Sequence, residues 1–186
     1  MPTPGDISSD RLLARLSREQ RRWLWINALA VPTALNASIS AAIAWLTSRG
    51  ELKVPLWSTP LIGGPALLTD TLGTLFVLPL ITSIALALSV RAALRNGQLQ
   101  RLTLPQHWVS LVDRLPTELV PSAVRLAATM LLLLGPFAIA ILTLTDLRHG
   151  ISPLTFVVYK AVLGVGLGVI VTPLVAVLAM ARTPET

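Results

Sequence analysis

Apolar positions gather in four long runs along the chain, and polar, proline-rich or arginine-bearing stretches separate them. A helical membrane crossing needs about 20 mainly apolar residues. The runs predict spans at roughly 23–46, 71–90, 123–144 and 153–181, the last long enough to tilt or to start outside the hydrocarbon. No charge interrupts the first two. The expected fold is an all-α polytopic membrane protein, a single four-helix transmembrane domain over 1–186 with short interfacial helices.

Basic residues fall unevenly between these runs. Arg11, Arg15, Arg18, Arg21 and Arg22 precede the first, Arg91, Arg95, Arg101, Arg114 and Arg125 attend the connection from second to third, and Arg182 follows the fourth. The other side holds only Arg49, Lys53, Arg148 and the intramembrane Lys160. Eleven against four, under the positive-inside rule, places both termini in the cytoplasm. The net charge of +6 is thus a topology signal, and no nucleic-acid partner is expected. Trp23, Trp25 and Trp108 fall near the expected inner boundaries, and Trp45, Trp57, Phe156 and Tyr159 near the outer ones. The first run is too long and its preceding segment too acidic for a cleaved signal peptide, so an uncleaved helix is expected.

The stretches between spans are not simply polar. Residues 1–22 are expected to form a cytoplasmic amphipathic piece, with Leu12, Leu13 and Leu16 on one face of a helix over 8–22. The connection 96–121 is similar, with Pro105 suited to a first helical turn and Pro116 stopping the helix. The loop 47–70 carries Val54, Leu56, Trp57, Leu61 and Ile62 among its glycines and prolines, and so predicts a re-entrant or capping segment.

Polar residues inside the spans are the candidate chemistry. Asn36, Ser40 and Ala44 recur at steps of four and predict a small-residue contact face, with Asn36 bonding to another span or contacting a ligand. Gly164 and Gly168 form a G-x-x-x-G packing or dimerisation face. Lys160 lies about two turns into the fourth span, where a charge must snorkel, pair or face water; Asp70 and Asp146 are its candidate partners. The alternatives are an ion-pair gate, an anion-binding lysine or a structural salt bridge. Each span holds one interior proline, Pro32, Pro79, Pro136 and Pro173, which predicts kinks and leaves open a cavity lined by broken helices.

Setting Pro79 against Pro173 aligns spans two and four, and the loops LTSRGELKVPLW and LTDLRHGISPLTF rhyme, which points to two hairpins related as parallel repeats. There is no cysteine, and the two histidines, His107 and His149, lie far apart. No metal site, cofactor or catalytic set is expected, hence no enzyme.

The stretches LGTLFVLPLITSIALALSVRAALRNG and FVVYKAVLGVGLGVIVTPLVAVLAMA resemble those of uncharacterised bacterial four-span proteins of permease-like build. The resemblance implies a bacterial inner-membrane protein and brings no activity or site residues. Two functions follow as expectations. One is a permease or binding protein for a small apolar or amphipathic molecule, self-associating in the bilayer. The other is a non-catalytic accessory or scaffold subunit among other membrane proteins.

Overall fold

The computed structural model describes residues 18–57, 65–100, 118–145 and 150–182. Asp146, His107, His149 and Trp108 lie outside these residues, as do the amphipathic stretch before residue 18, the helix expected over 104–116 and Leu61 and Ile62 of the first hairpin loop.

Among the described residues every regular element is a helix, and there are no strands. A short helix α1 (Arg18–Trp23) continues through a π-helical segment (Leu24–Ala30) into α2 (Val31–Ser48); α3 (Leu67–Arg95), α4 (Leu119–Leu144) and α5 (Pro153–Arg182) follow. Four stretches are long and apolar enough to cross a membrane: Gln20–Ser48, Leu67–Arg95, Leu119–Leu144 and Pro153–Ala181. This is the build of a multi-pass membrane protein.

Local chemistry explains the helix boundaries. Pro32 has no N–H and would clash with the carbonyl one turn earlier. The wider π turn lies directly before it, and the Val31 N–H donates to the Ile26 carbonyl, five residues back. At the end of α3, Gly97 takes φ +70°, Gln98 N–H donates to Ala93 and Gly97 N–H to Leu94. That is a Schellman cap, which satisfies carbonyls left open by the last turn. Ser152 caps α5: its hydroxyl accepts the Thr155 N–H, and Pro153 fits the first turn.

The hairpin loop before α3 folds back as a cap. Val54 and Ile151, from the two hairpin loops, exchange both backbone hydrogen bonds in an isolated antiparallel bridge. The carbonyls of Pro55 and Leu56 then accept the free N–H groups of Leu67 and Leu68 at the start of α3. Gly150, at φ +78°, permits this approach, because a β-carbon there would lie 2.8 Å from the Val54 carbonyl oxygen.

The helices stand in a row, in the order α4, α3, α5, α2. The helices of the first hairpin, α2 and α3, touch each other only sparsely. Instead α2 packs along α5, α3 along α5, and α4 along α3. The central helices α3 and α5 are 44% and 39% buried over their apolar windows, against 17% and 22% for the flanking ones. Exchanging the first hairpin for the second maps this pattern onto itself, since each hairpin's first helix packs on the other's second.

Two apolar clusters mark the two ends of the helices. One gathers Leu86, Val90, Met130, Val171, Val175 and Met180 at the end holding residues 18 and 182. The other gathers Val54, Leu56, Leu67, Leu68, Leu142 and Phe156 beneath the hairpin loops. Buried polar side chains occupy the level between: Asn36, Ser40, Thr71, Thr82, Ser83, Lys160 and Thr172.

Candidate functional site: a groove with an ion pair at its head

Lys160 is 2% exposed, and the three acceptors around it come from one face of α3. Its ammonium lies 2.5 Å from Asp70 Oδ2 and 3.3 Å from the Asp70 backbone carbonyl, and it also donates to Thr74 Oγ1. Asp70 and Thr74 are one helical step of four apart, so both reach the same point on α5. Asp70 stands in the first turn of α3, where the helix dipole favours a negative charge. A lone lysine at this depth would be costly; here three acceptors replace the water it leaves.

The next residue extends the polar contact. Thr71 donates to the Leu67 carbonyl at 2.6 Å, so the Tyr159 hydroxyl, 3.0 Å away, donates to Thr71 Oγ1. Lower down, Thr82 Oγ1 donates to Asn36 Oδ1 at 2.9 Å, tying α3 to α2 at one of their few points of contact. The Thr33 and Ser83 hydroxyls are buried at this level without a hydrogen-bond partner.

Because α2 and α3 both lean on α5 but hardly on each other, a groove of about 500 Å³ opens between them. Its walls are Ile39 and Ile43 of α2 and Val77, Leu78 and Ile81 of α3. Its polar lining residues are Thr69, Asp70 and Thr74, with Lys160 and Ser40 almost completely shielded behind them. Gly73 lines it with no side chain, and a β-carbon there would meet nothing within 4 Å. From Ala66 to Ile81 the groove follows α3 for about 22 Å at the helical rise.

The glycine pair lies elsewhere. A β-carbon on Gly164 would sit 2.7 Å from the Asn36 carbonyl oxygen, and one on Gly168 would sit 2.8 Å from the Thr33 α-carbon. This face is therefore taken up by α2 within the chain. Asn36, Ser40, Ala44 and Ser48 are the buried residues of α2. The prolines divide: Pro79 is fully buried, Pro32 half-buried, and Pro136 and Pro173 exposed on the outside of the row. Only Pro79 stands in the interior, and none of the four lines the groove.

Asp70 and Lys160 are thus brought together, Asn36 stands deeper beside Thr82, and Asp146 is outside the described residues. Gly73, Thr74 and Thr82 were not singled out from sequence. For Gly73 and Thr74 the signal is the run Asp70, Gly73, Thr74, Val77, Leu78, Ile81, which repeats at steps of three and four on one face of α3. No family model, curated protein or solved structure matches this chain.

Proposed function

We propose that this protein binds a small amphipathic molecule taken laterally from the bilayer, in a permease-like frame. The observation that carries the reading is the groove between α2 and α3, apolar along its walls and holding a buried ion pair toward the hairpin-loop end. Ligand sites are concave and mostly apolar, with a few fixed polar groups that orient the occupant. A molecule with a polar head at Asp70 and an apolar body along Val77 and Ile81 would lie as a lipid lies in the adjacent leaflet.

The setting we infer is the bacterial inner membrane, with both termini cytoplasmic; the arginine distribution and the resemblance to four-span permease-like proteins support it. Support for the accessory-subunit reading is weakened at one point. The glycine face on which such a subunit could assemble is already used by α2.

Native mass spectrometry of the protein, gently extracted from its own membrane, tests the proposal. A small molecule should leave with the native chain and be lost from Gly73→Phe, whose side chain enters open groove space while the packing of α5 on its neighbours is untouched. Stoichiometric foreign subunits with no small molecule would favour the accessory role and sink the binding role.

A further inference from the structure

This inference rests on the groove reading and concerns which head group the groove accepts. The lysine looks at first like an anion site, but its surroundings say otherwise. Lys160 is almost completely shielded, and an ammonium has three donors. The Asp70 carbonyl and Thr74 Oγ1 accept from it, and Asp70 Oδ2 pairs with it as a counter-charge. An arriving anion could not reach the ammonium, which is enclosed by α3 and already paired.

Asp70 is the partner left open. Its side chain is 28% exposed, while its Oδ2 is shielded against Lys160. The exposure therefore falls on the Oδ1 side, and among the described residues no hydrogen bond to Oδ1 is formed. The charged atom that the groove presents to an occupant is a carboxylate oxygen, which only accepts. An anionic head would meet like charge at this point, with the compensating ammonium behind it. A hydroxyl or a protonated amine would instead donate to Oδ1 and leave the ion pair intact, and a hydrogen bond to an ionised acceptor is among the stronger ones.

We infer that the groove selects amphiphiles with a hydrogen-bond-donating, non-anionic head, seated on Asp70 Oδ1 with the apolar body along Ile39, Ile43, Val77 and Ile81. Alcohols and amines share this chemistry; fatty acids and other anionic amphiphiles do not.

The test uses the full chain in nanodiscs of zwitterionic lipid and three photoreactive alkyl probes of equal length: a primary alcohol, a primary amine and a carboxylic acid. Adducts are mapped by mass spectrometry. The alcohol or the amine should label the groove walls at least about tenfold more than the acid, the worth of one hydrogen bond to a charged group. The paired variant Asp70→Asn/Lys160→Met keeps the site neutral overall and should reduce that preference to within about twofold, whereas Gly73→Phe should remove groove labelling by all three. Retention of the native elution profile in detergent shows that both variants are folded. Equal labelling by the three heads, or preference for the acid, overturns the head-group inference while leaving a binding groove. Absence of any groove adduct overturns the groove reading and this inference together.

Discussion

At the scale of single residues, Lys160 and Asp70 depend on each other. The ammonium is 2% exposed, so removing one partner strands the other at membrane depth. Lys160→Met should destabilise the fold by about 3 kcal/mol, the low end for breaking a buried pair, since Asp70 keeps partial exposure. Replacing both, as Lys160→Met with Asp70→Leu, should recover most of that loss. Thermal unfolding in detergent, followed by tryptophan fluorescence, measures both. A double variant no more stable than the single one would mean that the pair is not the source of the loss. The candidates for this pair were legible in sequence because a lone intramembrane lysine demands a counter-charge. Thr74 was not, because a threonine in an apolar helix ordinarily bonds to its own backbone, as Thr172 does to Gly168 and as Thr74 itself does to Asp70 while also accepting from Lys160.

Among elements, the glycines of α5 separate by what stands opposite them. Gly164 and Gly168 face α2 backbone and Thr33 at less than van der Waals distance from any added β-carbon, whereas Gly166 meets nothing within 4 Å. Gly164→Leu should therefore part α2 from α5 and lower stability by about 2 kcal/mol, while Gly166→Ala should be neutral or slightly stabilising. Unfolding midpoints for the two variants check this, and equal effects would contradict the assigned contact. The four spans were legible from apolar run length, and the helices extend a few residues past the runs because backbone bonding continues into the boundary region. Which helix lies beside which was not legible. Lipid-facing and protein-facing positions are both apolar here: the exposed Leu132, Phe137 and Val162 are as greasy as the buried Leu75 and Val90. The small-residue stripes showed where helices approach closely without naming the partner.

For the whole molecule, the arginine asymmetry makes one prediction about threading. The chain has no cysteine, so a single introduced thiol reports its own side. Glu51 lies exposed in the first hairpin loop, and Gln98 lies exposed past the end of α3. In intact cells an impermeant maleimide should label Glu51→Cys and spare Gln98→Cys until the membrane is opened. The reverse pattern would invert the topology. The alternation of the helices fixes that these two sites lie on opposite sides; the charge distribution supplies which is which.

The interlaced order of the row also bears on how the chain is made. Segments enter the bilayer in sequence, yet α2 finds its main neighbour only when α5, three spans later, has been made. Until then the face carrying Asn36 and Ser40 has no α5 to lie against, and Asp70 has no ammonium beside it. Before α5 is made, the first hairpin therefore lacks its main packing partner. The fourth span, with its lysine and its two tight glycines, closes both contacts at once. A chain broken off before α5 would keep Asn36, Ser40 and Asp70 without these contacts, and one that includes α5 would not.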